Sequence, residues 1–383
     1  MALKVAARGA VPPFIVMDVM RAANEREAAG GEVYHMEVGQ PETGAPAGVI
    51  AAARAALAGD RLGYTDAFGV PALRSAIARH YRDFYDVAVP EERIVVTTGS
   101  SGGFVLSFLA AFDAGDRVAL ADPGYPAYRN ILAALGIEVV NIPTGPDTRF
   151  QPSVDHLKAI AGDLDGLIVA SPSNPTGTML RPDELHDIAA YCEDNGIRLI
   201  SDEIYHGITY GVIAEATAAA LGDHAIVINS FSKYFSMTGW RLGWMVVPPD
   251  LVRAAECLAQ NLYISPPTLS QLAAVAAFDC REELDRNVQR YAANRTLLLE
   301  ELPAAGFDDL ASADGAFYIY ANISRLTNDS AAFCRRMLAE TGVAATPGID
   351  FDPDRGHAFM RFSFARATDD MAKAARRLRA WTP

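Results

Sequence analysis

Cysteine is scarce in this chain: Cys192, Cys257, Cys280 and Cys334 are the four in 383 residues, and no two form a Cys-x-x-Cys pair. That excludes a disulfide framework or a thiolate zinc site, and the four read as small buried hydrophobes in a reducing, cytoplasmic setting. The seven histidines are scattered without metal-ligand spacing, so no metal centre is expected. Long apolar runs are also missing. No stretch approaches the ~18 residues of a membrane span, and the first residues, Met-Ala-Leu-Lys-Val-Ala-Ala-Arg-Gly-Ala, lack the apolar centre of a signal peptide. Positive charge is in deficit, with 33 Lys and Arg against 47 Asp and Glu. A formal net charge of −14 favours solubility and argues against nucleic acid or a membrane surface as partner. There is no internal repeat, low-complexity tract or long linker.

What is present is a globular composition, 50% apolar and 21% charged, in a chain long enough to divide into more than one domain. From about residue 94 to 250, short apolar runs alternate with helix-length segments. The runs are Ile94–Thr98, Arg117–Ala121, Glu138–Ile142, Gly166–Ala170, Arg198–Asp202, Ala225–Asn229 and Leu242–Val247. Between them lie Phe104–Phe112, Ala127–Leu135 and Pro182–Asn195. This rhythm predicts an α/β fold with a mostly parallel sheet covered by helices on both faces. After about residue 275 it changes: Arg281–Leu302 reads as an amphipathic helix, and Ala316–Ala321, Val343–Ala345 and Phe359–Phe364 as strands of a smaller α+β unit.

The most informative stretch is Ser-Phe-Ser-Lys at 230–233, followed by Arg241. A lysine leaving a buried strand among hydroxyls suits an amine that condenses with an aldehyde, while Ser230, Ser232 and Arg241 hold a phosphate. Lysine becomes nucleophilic when its pKa falls from ~10.4 towards neutrality. Asn174 lies in a turn after one apolar run, and Asp202 ends another with Tyr205 three residues on. Strand ends of this kind are where open α/β sheets keep their ligands. Gly-Ser-Ser-Gly-Gly at 99–103 follows a strand and precedes an apolar helix expected to open at Phe104, so its N–H groups can cradle an anion. Arg361 is a cation in an otherwise apolar strand, where burial is costly unless it is paired.

The set Asn174, Asp202, Tyr205, Lys233 and Arg241 resembles the fold-type I pyridoxal-phosphate enzymes, specifically the class I/II aminotransferases of the aspartate aminotransferase type. The resemblance runs from about Met36 to Arg366. It implies a seven-stranded sheet in a large cofactor-binding domain, residues 41–274, and a discontinuous small domain made of 1–40 and 275–383. It implies pyridoxal 5'-phosphate as cofactor, with Lys233 as covalent anchor and general acid/base. Asp202 faces the pyridine nitrogen, Tyr205 and Asn174 the phenolic oxygen, and Tyr125 stacks on the ring. Ser100, Ser101, Ser230, Ser232 and Arg241 take the phosphate. Family members usually have a residue larger than glycine at one of positions 102–103. Arg361 takes the substrate's α-carboxylate, with Gly39 packed over it. Tyr64 serves the phosphate of a neighbouring subunit, which implies a homodimer with shared active sites. Asp350 and Asp352, after Pro347-Gly348, read as solvated loop acids.

The expected activity is transfer of the amino group of an L-amino acid to a 2-oxo acid such as 2-oxoglutarate or pyruvate, in two half-reactions. With Ser101 where a cation could grip a second carboxylate, a neutral aliphatic or aromatic donor is favoured over a dicarboxylate. A carbon–sulfur β-lyase on the same cofactor is the main rival. A ligand-sensing aminotransferase-like module is a distant one, since such modules follow a DNA-binding domain.

Overall fold

The computed structural model describes residues 3–382. The inner strands of its central sheet are buried on both faces, which explains their near-continuous Val, Ile, Leu and Ala content, while the edge strand Glu138–Pro143 is largely open to solvent. The strands are β1 (Ile94–Thr97), β2 (Arg117–Asp122), β3 (Glu138–Pro143), β4 (Gly166–Ala170), β5 (Arg198–Asp202), β6 (Ile226–Ser230) and β7 (Gly243–Val246). They lie in the order β1-β7-β6-β5-β4-β2-β3. β2 to β6 pair in parallel, and β7 runs antiparallel to both β1 and β6. Alternation assigns the faces. Val96, Ala119, Leu167, Leu199, Val227 and Trp244 join one core cluster, while their neighbours Val95, Leu120, Ile168, Ile200, Ile228 and Met245 join the other.

Three helices bear on the site, α1 (Ile15–Ala28), α2 (Gly99–Ala111) and α3 (Pro126–Leu135), while the long α4 (Arg281–Ala304) contributes no residue to it. α2 corrects an expectation. It opens at Gly99 and not at Phe104, so Gly-Ser-Ser-Gly-Gly forms its first turns and not a loop ahead of it. Gly99 has φ +76 and turns the chain from strand into helix; Gly103 is buried, and a Cβ there would meet Met245 and Ile228 at 3.2–3.4 Å. The glycines therefore let α2 lie close on the sheet.

A second, antiparallel sheet comprises β8 (Asp309–Leu310), β9 (Tyr318–Asn322), β10 (Thr346–Pro347) and β11 (Phe359–Ser363), in the order β10-β11-β9-β8. The chain's two ends meet beside it, where Tyr34–His35 pairs in parallel with Val343–Ala344. Residues 1, 2 and 383 lie outside the described ones. Among the described residues, no helix is long and apolar enough to cross a membrane.

Gly243 is the point where α2 crosses the sheet. A Cβ there would stand 2.8 Å from the Ser100 amide nitrogen and 2.9 Å from both the Asn229 carbonyl oxygen and the Gly99 carbonyl carbon. Backbone cannot step aside as a flexible side chain can. Gly243→Ala is expected to lower stability by about 1–3 kcal/mol, the usual range for overpacking, seen as an earlier urea midpoint.

Candidate active site

Strand register assembles the site. Ala170 on β4 lies opposite Asp202 on β5, which lies opposite Ile228 on β6. Asn174, Asp202 and Lys233 therefore leave one edge of the sheet together, beside Tyr125 beyond β2 and the N-terminus of α2 beyond β1. One cavity at this edge brings together Gly39, Ser100, Ser101, Tyr125, Asn174, Asp202, Tyr205, Ser232, Lys233, Arg241 and Arg361, all of them sequence candidates. It does not include Ser230, whose buried hydroxyl donates to the Leu242 carbonyl at 3.4 Å and accepts from the Ser232 amide at 3.1 Å. Tyr64 is also outside it, 84% exposed at the surface.

Asp202 is buried at the floor, and burial pushes its carboxyl up to about 6. Two donors work against that rise: the Tyr128 hydroxyl on Oδ2 and the Ile204 amide on Oδ1, the latter at 3.1 Å. The neighbouring Glu203 points the other way and is also buried. Ser201 and Thr217 hydroxyls and the Ala218 amide donate to it at 2.8–3.0 Å, which ties down the end of β5.

Lys233 faces the cavity, and its Nζ donates to the Gly39 carbonyl at 2.6 Å. Burial, aided by the positive charge of Arg361, lowers its pKa from 10.5 to about 8, in the range of a working base. Arg361 is not on an edge: β11 lies between β10 and β9, with Arg361 opposite Thr346 and Tyr320. Its guanidinium lies between the Tyr318 and Phe351 rings, 4.3 and 4.7 Å from their centroids, and donates to Asn174 Oδ1 at 2.7 Å and to the Glu37 carbonyl. It pairs with no carboxylate among the described residues, and its buried Nε has no partner. An orphaned, planar cation of this kind suits a bidentate carboxylate. Tyr318 was not a sequence candidate. Its hydroxyl lies 2.7 Å from that of Tyr205 and would stand 1.6 Å from a Cβ on Gly39, so only glycine fits at 39.

At the opposite end, the first turn of α2 presents its free N–H groups beside Arg241. A Cβ on Gly99 would stand 2.5 Å from Arg241 Nη2, which marks how closely the guanidinium covers this helix end. The only hydrogen bond Arg241 makes among the described residues is from Nη1 to the Thr238 carbonyl, at 3.0 Å. An anion cradle, a buried carboxylate and a lysine amine in one cavity fit pyridoxal phosphate: the phosphate at α2 and Arg241, the pyridine nitrogen at Asp202, the aldehyde at Lys233. Tyr125, whose hydroxyl burial pushes up to about 12, borders the same space and packs edge-on against Tyr128 and Phe14.

Two acids overturn an expectation. Asp350 and Asp352 are buried, not solvated. Asp350 accepts the amides of Ile15 and Val16, while Asp352 pairs with Arg355 and accepts the amides of Asp354 and Arg355. Of the cysteines, Cys192 and Cys334 are buried as expected, whereas Cys257 and Cys280 are partly exposed. Besides Tyr318, sequence reasoning missed Tyr128 and the wall residues Phe14, Val16 and Met17. Tyr128 had a local signal, standing one helical turn after Tyr125; the others had none.

Residues 32–378 match the family described as aminotransferase class I and II. The chain is 54% identical to a valine–pyruvate aminotransferase of Mycobacterium tuberculosis, with 99% of each chain covered. An aspartate/prephenate aminotransferase of Thermus thermophilus is 31% identical, with 96% of each covered. Among solved structures, an aminotransferase from Mycobacterium tuberculosis superposes with a TM-score of 0.98 at 54% identity, over 99% of both chains.

The lowered pKa of Lys233 has a stability consequence in the protein without cofactor. Below pH 8 the amine is charged both folded and unfolded, so its burial penalty is fully present; from pH 8 to 10.5 the unfolded chain binds more protons and stability rises. Lys233→Met is therefore expected to stabilise the apo protein at pH 7. The gain is at most on the order of 3 kcal/mol, reduced by the unpaired Gly39 carbonyl. Urea titrations across pH should show it vanish by 10.5.

Proposed function

The chain belongs to the class I and II aminotransferases and is a transaminase of amino acids and 2-oxo acids, and we propose that its donor is a neutral L-amino acid, best a branched aliphatic one such as valine, with pyruvate or 2-oxoglutarate accepting. The observation that carries this reading is the distribution of charge and apolar surface in the cavity. Its only cations among the described residues are Lys233, Arg241 and Arg361. Arg241 belongs to the anion cradle and Arg361 to the α-carboxylate, which leaves no cation for a side-chain carboxylate. Phe14, Val16, Met17, Val38 and Ile204 offer an apolar wall instead. The similarity to a valine–pyruvate aminotransferase points the same way.

We assign pyridoxal 5'-phosphate as the cofactor, held by Ser100, Ser101, Ser232 and Arg241 at its phosphate, with Tyr125 over the ring and Asp202 and Tyr205 at its polar edges. When bound, it supplies an aldehyde carbon and a conjugated pyridine that draws electrons from the substrate's α-carbon. Arg361 grips the α-carboxylate in its fork and, braced between two rings, fixes the direction of the α-carbon–hydrogen bond. Lys233, with a pKa near that of the medium, takes the proton from the α-carbon and holds it on Nζ for return. Tyr128 keeps Asp202 aimed into the site while favouring its charged form. The apolar wall excludes water from the lysine and from the side-chain pocket.

The active form in this reading is a cytoplasmic homodimer. Tyr64, Leu262 and Ile264 are exposed, on segments joined by the Thr65 amide to Ser265 hydroxyl bond and by the Thr268 hydroxyl to Gly63 carbonyl bond. A fixed loop presenting apolar groups outward supports a second copy docking there, with Tyr64 reaching that copy's phosphate.

A panel of valine, alanine, phenylalanine and aspartate against each acceptor tests the donor assignment. We expect kcat/KM for valine to exceed that for aspartate by at least about tenfold, the scale of a charge left unpaired in an apolar pocket. Aspartate equal to valine would overturn the reading. For assembly, mixing impaired Tyr64→Phe and Lys233→Ala subunits is expected to restore part of the activity, because one site of each heterodimer then holds neither lesion. Proven subunit exchange without recovery would place Tyr64 in its own subunit's service only.

A further inference from the structure

α1 lacks a cap of its own. Phe14 stands at its N-cap position and offers no side-chain acceptor to the first turn. The cap comes instead from the far end of the chain: Asp350 accepts the Ile15 amide on Oδ1 at 3.1 Å and the Val16 amide on Oδ2 at 3.2 Å. A carboxylate here also lies against the positive end of the helix dipole. The segment it holds includes Phe14, Val16 and Met17, which form part of the apolar wall of the cavity. Phe14 in turn packs edge-on to Tyr125, at 5.7 Å between ring centroids.

Asp350 is itself fixed. Arg129 of α3 donates to the carbonyls of Asp350 and Phe351, and the Gly124 amide donates to the Phe351 carbonyl at 3.1 Å. The Phe351 ring is one of the two that hold Arg361. Consecutive residues of one short turn thus hold the carboxylate-binding arginine and the apolar wall facing it. The distance between the two is what a substrate's α-carboxylate and side chain must match.

We propose that Asp350 is a positioning residue for side-chain selectivity: by capping α1 it holds Phe14, Val16 and Met17 at the depth a branched aliphatic donor fills. This rests on the neutral-donor reading above. The experiment compares kcat/KM for valine and alanine in the holoenzyme and in Asp350→Ala, Asp350→Asn, Met17→Ala and the Asp350→Ala/Met17→Ala double variant. Asp350→Ala is expected to lower the valine-to-alanine ratio about fivefold, the scale of one lost cap, mainly through KM for valine. Asp350→Asn, which keeps one acceptor, should fall between and serves if the alanine variant does not fold. Met17→Ala should lower the same ratio, and adding Asp350→Ala to it should lower it no further. Hydrogen exchange at Ile15–Met17 should quicken at least about tenfold in Asp350→Ala, while the interior of α4 is unchanged. An unchanged ratio in Asp350→Ala, whatever the exchange, makes Asp350 a structural cap only and overturns the proposal. So does a loss that is additive with Met17→Ala. A parent enzyme with no preference for valine over aspartate instead removes the donor reading, an outcome read from the parent alone.

Discussion

Ala170, Asp202 and Ile228 lie side by side on three parallel strands, and the positions of the chemical groups follow from that alignment. A slip of one residue on any of the three would turn alternate side chains to the opposite face. Asp202 would leave the cavity floor, and Lys233 would no longer reach the Gly39 carbonyl. The register is protected by burial, because Val169, Leu199 and Val227 of these strands belong to one core and Ile168, Ile200 and Ile228 to the other, and neither core accepts a polar exchange. Glu203 adds a polar lock: its buried carboxylate with three donors can be satisfied in only one position of the strand end.

The local field runs against the whole. In a chain of net charge −14, the cavity holds two arginines and a lysine around a single carboxylate. Burial and Arg361 both oppose protonation of Lys233, so the lowered pKa of its amine comes from its surroundings. An acidic exterior with a cationic pocket also focuses small anions on the pocket, as carboxylate and phosphate groups require.

Much of this was legible because it is local. The seven strands were readable from apolar runs, with ends displaced by a residue or so, and Lys233, Asp202 and Asn174 stood out by following such runs. Helix α2 was misjudged at its start since Gly and Ser are weak helix formers, yet Gly99 supplies the left-handed turn and close packing on Met245 favours the rest. Asp350 reads as a surface acid in the sequence because its partners, the amides of Ile15 and Val16, lie more than three hundred residues away. Tyr318 was missed for a related reason: within an apolar strand it looks like core, and only the absent side chain of Gly39 makes room for its hydroxyl. Contacts between distant segments leave no periodic trace.

The parallel pairing of Tyr34–His35 with Val343–Ala344 bears on how the protein is made. During synthesis, the segment that contributes Gly39 and the wall residues emerges before the large sheet, and the strand it pairs with emerges after that sheet. The large sheet can close in the meantime, since its strands are all encoded between residues 94 and 246. Until residue 361 has been added, a nascent chain therefore holds the strands of the large sheet and Lys233 without the arginine that completes the cavity. Slow closure over so long a loop is the cost of pairing Tyr34 with Val343. A chain cut short before β11 carries Lys233 without the buried Arg361 that shares its cavity.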